Sequence, residues 1–341
     1  MPQKSTKTDG FKRFNDSLAA GNTGTLYIFH GEERYLLERS LAALRKKLCP
    51  DGLEGFNYKR YEGKGLAVDE LGEAIDALPV FAERTLIEIH DFDIFKNDQK
   101  QKLAEMFSDL PEYVCVVFIF DIIAYKPDGR VKLDAELIKN ADVVEFSVQD
   151  QVKLTNWIKR HFMDAGKNIS TADAEYLAFI TGGFMSTLHG EIGKTAAYAK
   201  AQAVTRADID AVVTPALDAV AYKLADALTR RDHKGAMTML DELFQMRESP
   251  HKLLFSISLK MRQLLAARVC LDNNSGRNEL MEMCGIRTDY QAKTLMETAR
   301  RSSLTSCRDA VLHCAKTALD LNSAPEPEAR LIELVSRLAL N

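Results

Sequence analysis

At 341 residues the chain is too long for one small module; at about 100 to 200 residues per unit it predicts roughly two or three. Hydrophobic residues make up 46% and charged residues 28%, with 18 Gly and 9 Pro, which excludes disordered, collagenous and disulfide-scaffold chains and leaves apolar material for a large core. Lys and Arg number 45 against 49 Asp and Glu, a formal charge of −4, so no overall positive field attracts a phosphate backbone.

Met1 to Asn15 carries Lys4, Lys7, Lys12 and Arg13 without the apolar stretch that follows them in a secretory signal. No run approaches the roughly 18 apolar residues of a membrane span, and a cytoplasmic protein is expected. Up to residue 146, β-branched or aromatic runs alternate with helix-period segments, the pattern of repeated βαβ units around a parallel sheet. Five strands are predicted: Leu26 to Phe29, Phe56 to Tyr61, Thr85 to His90, Tyr113 to Asp121 and Val143 to Phe146. The fourth is apolar enough to lie centrally, covered on both faces. Between them, Leu36, Leu37, Leu41, Leu44 and Leu48, then Val68, Leu71, Ala74, Ile75 and Leu78, recur at helical spacing and mark two buried faces.

From Val152 onward the apolar positions keep helical spacing, and the remainder reads as all-α. Trp157, Ile158 and Phe162, then Ala174, Leu177, Ala178 and Ile180, then Leu188, Ile192 and Ala196 predict three short helices, with Gly182 and Gly183 breaking the chain between the last two. Pro215 ends this bundle. Leu217, Val220, Ala221, Leu224, Ala225 and Leu228 begin another helix, and Ala236, Met239, Leu240, Leu243 and Phe244 repeat the pattern. Ser249 and Pro250 supply an N-cap and a first-turn proline for a long helix carrying Leu253, Leu254, Ile257, Met261, Leu264 and Leu265, after which two or three more helices are expected. The predicted units are 1–146, 147–215 and 216–341, with net charges of −6, 0 and +2.

In a parallel sheet, phosphate chemistry belongs at the turn after the first strand, where a helix N-terminus offers N–H groups and a positive dipole. That turn reads His30, Gly31, Glu32, Glu33, Arg34 and lacks the later glycine, the lysine and the hydroxyl of GxxxxGK followed by Ser or Thr. Glu32 and Glu33 would repel a triphosphate while favouring the helix start itself. A nucleotide-type fold without nucleotide, and no cofactor, is the reading. Phe120 to Ile123 offers one acid, Asp121, where magnesium-assisted hydrolysis needs more; a turn or capping role is expected. No GxSxG, HExxH, GxGxxG or CxxC occurs. Cys307, His313 and Cys314 lie close in sequence, but a metal site needs three or four converging ligands, and packing is the default.

The segment Leu78-Pro79-Val80-Phe81-Ala82-Glu83-Arg84 leads from a helix into the third strand. Proline stops the helix, so Val80 and Phe81 sit at a turn where apolar residues either fold back onto the core or protrude for a partner.

With these residues in view, the sequence resembles the delta subunit of the bacterial DNA polymerase III clamp loader. The resemblance is carried by Leu26 to Leu37 (LYIFHGEERYLL), Leu78 to Ile89 (LPVFAERTLIEI), Asp142 to Phe146 (DVVEF), Trp157 and Ile158, and Glu191 to Tyr198 (EIGKTAAY), and it spans nearly the whole chain. It implies an α/β plus all-α architecture: a degenerate AAA+ parallel-sheet domain lacking a P-loop, a small helical lid and a C-terminal helical collar. It also implies a non-catalytic subunit that binds the ring-shaped sliding clamp (the beta subunit) through Val80 and Phe81. That subunit opens the ring or holds it open for loading onto primed DNA; it meets the other loader subunits (delta prime, tau/gamma) through the collar, and ATP is bound and hydrolysed by other subunits. Val80 departs from the bulkier leucine often found in the family. Asp320 to Ala324 (DLNSA) departs from a family pattern of an acid followed by Lys, a small hydroxyl residue and Gly.

Two other readings compete. One is an active AAA+ ATPase with a divergent loop, disfavoured by Glu32 and Glu33. The other is a DNA-binding regulator whose C-terminal helices use Lys260, Arg262 and Arg268, or Arg300, Arg301 and Arg308, as phosphate contacts. Such clusters more often form solvated helix faces, and within a loader the same cations could approach DNA.

Overall fold

The computed structural model describes residues 9–49, 52, 54–286, 288–322 and 325–340; Lys4, Lys7, Ser323 and Ala324 lie outside them. The chain forms two compact units that divide between Val148 and Gln149.

The first unit runs α1 (Asp9–Ala20), β1 (Leu26–His30), α2 (Arg34–Leu48), the single-turn α3 (Glu54–Asn57), β2 (Tyr58–Glu62), α4 (Val68–Asp76), β3 (Thr85–His90), α5 (Lys100–Ser108), β4 (Val114–Phe120), α6 (Lys132–Lys139) and β5 (Asp142–Glu145). Its five strands form one sheet in the order β2-β3-β4-β1-β5, with every pairing parallel. Strand β4 is central and buried along its whole length. Because side chains alternate across a strand, Val114, Val116, Phe118 and Phe120 pack with α4, α5 and α6, while Cys115, Val117 and Ile119 pack with α1 and α2 on the other face.

Three local differences from the sequence reading have physical causes. Helix α1 was not anticipated. It presents Phe11 and Phe14 to the core, edge-on to Phe146 at 5.5 Å and to Tyr27 and Phe29 at 5.4 and 5.2 Å. Phe56, expected to open the second strand, lies in α3. Leu78, expected on the buried face of α4, lies beyond that helix, which ends at Asp76, because the residue before Pro79 is driven out of the helical region.

The second unit comprises α7 (Gln151–Asp164), β6 (Asn168–Ile169), α8 (Thr171–Ile180), α9 (Met185–Tyr198), β7 (Ala203–Val204), α10 (Arg206–Val212), α11 (Leu217–Thr229), α12 (His233–Gln245), α13 (Pro250–Asp272), α14 (Arg277–Cys284), α15 (Asp289–Ala299), α16 (Leu304–Leu321) and α17 (Pro327–Leu340). The all-α expectation is corrected by a short parallel ladder, Asn168 opposite Ala203 and Ile169 opposite Val204; two-residue strands are too short to leave a period in sequence. Four helices follow α13 among the described residues, rather than two or three. Gly182 and Gly183 break the chain before α9 with φ of +81° and +76°, backbone that glycine adopts without penalty. Ser249 caps α13 by accepting the Lys252 N–H at 3.3 Å. Aromatic contacts tie the first helices of this unit to the later ones. Phe179 meets Tyr222 edge-on at 5.2 Å and Tyr290 at 5.5 Å. The Arg206 guanidinium lies 3.6 Å from the centre of the Tyr176 ring and donates to the Tyr290 hydroxyl at 3.2 Å.

Within the sheet unit, Glu88 of β3 is a fully buried carboxylate. Arg45 grips both its oxygens at 2.6 and 2.5 Å, and the Tyr58 hydroxyl donates at 3.0 Å. Burial alone would push its pKa up, but bonding and charge from His90, Arg45 and Tyr58 outweigh this and hold it below the usual carboxylate value. Such a group contributes stability above its unfolded value of about 4.3 and loses it as pH falls through the lower folded value. Replacing Glu88 with Ala is expected to cost about 3 kcal/mol, the low end for a broken buried pair because Arg45 keeps some solvent access. Urea unfolding at neutral pH measures this, and Glu88→Gln should flatten the loss of stability as pH falls below about 4.3.

Candidate functional site

The carboxyl end of the sheet, where open α/β folds place their ligands, is closed by the protein's own groups. Gly31 has φ +133°, and a Cβ there would run into the backbone of Phe146. The loop therefore lies flat against the chain leaving β5. The Glu33 N–H donates to the Phe146 carbonyl at 2.9 Å, the Arg34 N–H to the Glu32 carbonyl at 3.1 Å, and the Tyr35 N–H to Glu33 Oε1 at 3.3 Å. These are the donors a phosphate would need, and each has an internal acceptor. Glu33 itself is buried.

Asp121 forms a forked pair with Arg34, Nε to Oδ1 at 2.6 Å, rather than serving as a simple cap. Beside it, Asp91 at the end of β3 accepts the N–H groups of Asp121, Ile122 and Ile123 at 2.9, 2.8 and 3.1 Å. The amide concavity after β4 thus holds an internal carboxylate.

The amino end of the sheet is built differently. After α4, Ala77 is extended and Pro79 cannot donate, so the chain leaves the helix axis. Phe81 follows with φ +53°, in the left-handed region. Leu78 is 72% exposed, Val80 38% and Phe81 89%; Phe56, on the short helix before β2, is 62% exposed. The turn is fastened at both ends. Asn57 brackets Val80, and Arg84 donates to the carbonyls of Thr23, Gly24 and Val114 at 2.7, 2.9 and 2.6 Å. Val80 and Phe81 therefore stand outside the core. Leu78, which the sequence reading assigned to the buried stripe, stands with them; the proline after it was the signal.

The C-terminal cations singled out in the sequence are divided among buried, paired and exposed positions. Lys260 is buried, with its ammonium 3.3 Å from Gln263 Oε1, and burial lowers its pKa despite the charge of Asp218. That placement removes it from the exposed cations. Arg268 pairs with Asp272, Arg301 with Asp226 at 2.9 Å, and Arg308 with Asp309 at 3.4 Å. Arg262 and Arg300 are exposed. Cys307 and Cys314 are buried in apolar clusters, the latter thiol pushed up to about 11 by burial. Among the described residues no group of three or more His, Cys, Asp and Glu is arranged to hold a metal ion, and no helix is long and apolar enough to cross a membrane.

The parallel sheet order and the helical second unit define an α/β module followed by helices. Two family descriptions match the chain: DNA polymerase III, delta subunit, over residues 27–147, and DNA polymerase III delta subunit, C-terminal domain, over residues 218–336. The chain belongs to the DNA polymerase III delta subunit family. It is 23% identical over 328 residues to DNA polymerase III subunit delta of Bacillus subtilis (strain 168), covering 93% of each chain. It is 21% identical over 280 residues to the probable DNA polymerase III subunit delta of Aquifex aeolicus (strain VF5), covering 78% of this chain and 77% of that one. The solved structure of the Bacillus subtilis DNA clamp loader delta protein YqeN shares the fold, with a TM-score of 0.61 at 20% identity over 97% of this chain and 100% of that one.

If the loop at Gly31 is fixed by its contact with Phe146, Gly31→Ala must both enter a disfavoured φ and displace backbone. It is expected to destabilise the protein by at least about 2 kcal/mol. Thermal unfolding reads this directly, and an unchanged Tm would show that the loop can lift away.

Proposed function

We propose that this chain is a non-catalytic clamp-loader subunit that binds the sliding clamp through the turn Leu78–Phe81 and opens the ring or holds it open. The observation that carries the reading is Phe81, a large apolar side chain 89% exposed on a turn fastened at both ends. Isolated exposed apolar residues are common, but three on one turn, with Phe56 on the helix fastened to it, mark an interaction surface. An aromatic anchor entering a pocket is the usual form of a binding hot spot. Burying Val80 and Phe81 yields roughly 1.5 to 3 kcal/mol each, so neighbouring contacts complete the interface. Ring opening follows only if the turn binds the opened clamp better than the closed one.

Within this reading, residues 147–215 form the lid and 216–341 the collar through which the other loader subunits are contacted, with ATP chemistry left to them. Primed DNA is met only inside the assembly, with Arg262 and Arg300 as exposed cations of the helical unit. The internally bonded amides of the Gly31–Tyr35 turn support a chain that does not turn over nucleotide.

Phe81→Ala is expected to weaken binding to the purified clamp of the same organism by about 30-fold or more, the effect of a hot-spot residue, with Tm unchanged. Full affinity in a folded variant would overturn the assignment. Val80→Leu, which adds one methylene at the same contact, should tighten binding by about four-fold. Calorimetric titration of the isolated chain with ATP and magnesium should give no binding heat; submillimolar affinity would restore the ATPase reading.

A further inference from the structure

We propose that Asn57 is a positioning residue for the clamp-binding turn, holding Phe81 in the outward, binding-competent arrangement before the clamp arrives. The inference rests on the reading of Val80 and Phe81 as the clamp contact, and adds a residue that itself lies wholly beneath the surface.

Asn57 ends α3 and is fully buried. Its Oδ1 accepts the Val80 N–H at 2.7 Å and its Nδ2 donates to the Val80 carbonyl at 2.8 Å. The Val80 N–H can only donate, so the amide has one orientation that serves both bonds. One side chain thereby bonds both peptide groups of one residue, as a neighbouring strand does in a hydrogen-bonded antiparallel pair. The second of those groups joins Val80 to Phe81, and its plane sets the φ of Phe81.

That φ, +53°, is one that bulky L-residues avoid. It persists only where the surroundings over-determine the backbone. Arg84 supplies the downstream constraint through its bonds to Thr23, Gly24 and Val114, and Asn57 supplies the upstream one. Without Asn57, Phe81 can return to ordinary backbone and lay its ring on the exposed apolar surface of Leu78 or Phe56, a move that burial favours. Clamp affinity then falls in proportion to the fraction of molecules still in the outward arrangement.

The test uses the full chain and the purified clamp. Asn57→Ala is expected to bind on the order of ten-fold more weakly, with unchanged far-UV circular dichroism and faster amide exchange at Val80. Asn57→Asp keeps the acceptor but sets a carboxylate oxygen against the Val80 carbonyl; protonation restores the donor. The ratio of wild-type to N57D affinity should therefore fall toward unity as pH is lowered through the pKa of the introduced carboxyl, which burial holds above about 4. A residue that only stabilised the fold would give a ratio independent of pH, and that result overturns the proposal even if N57A fails to fold. If Phe81→Ala loses affinity while a folded N57A retains it, Asn57 has no positioning role and the clamp reading stands. If Phe81→Ala retains affinity, the clamp reading fails and the role of Asn57 fails with it.

Discussion

The hydrogen bond from the Glu33 N–H to the Phe146 carbonyl, 2.9 Å long, fixes what this parallel sheet can do. In a sheet whose strands all run one way, the amides after β1 are the natural seat for a phosphate. Here the Glu33 N–H is donated to the chain leaving β5, and those of Arg34 and Tyr35 to Glu32 and Glu33. The flat approach of Gly31 to Phe146 makes this bond possible, and Glu33 then caps the helix that would otherwise greet a ligand. One backbone contact thus occupies an amide that a ligand would otherwise use.

The opposite end of the sheet carries the proposed contact, and the same topology explains why it can. Loops at the strand starts are not needed to close the core: α4 has buried Val68, Leu71, Ala74 and Ile75 before the chain reaches Leu78. The turn is therefore free to spend its side chains outward while its backbone is fastened inward by Asn57 and Arg84. A surface ordered before contact loses little conformational freedom on binding. In the helical unit, the stack of Arg206 on Tyr176 and the contacts of Phe179 with Tyr222 and Tyr290 tie α8 and α10 to α11 and α15.

The sequence was most legible where one physical rule dominated. β-Branched and aromatic runs located all five strands of the main sheet to within a few residues, and the Ser249-Pro250 pair marked the start of α13. Legibility failed where tertiary context decided. Two-residue strands leave no alternation, so the β6–β7 ladder was invisible. Helix α1 follows an uninformative basic stretch, and only its packing of Phe11 and Phe14 against Tyr27, Phe29 and Phe146 explains it. Leu78 fits the helical period yet stands outside, because Pro79 ended the helix first. Val80 and Phe81 could be singled out, but their spacing could not say whether they faced in or out. Lys260 read as one of a set of cations, whereas its position on α13 points it into the protein. Asn57 carried no sequence signal at all, since its role depends on a residue 23 positions away.

The closure of the phosphate end also bears on how such a chain can change over time. Three fittings hold it shut: the loop lying on Phe146, the fork between Arg34 and Asp121, and the Asp91 carboxylate seated in the amides after β4. Undoing any one leaves the other two in place. A substitution at one of these positions therefore costs stability without freeing the amides that the others hold.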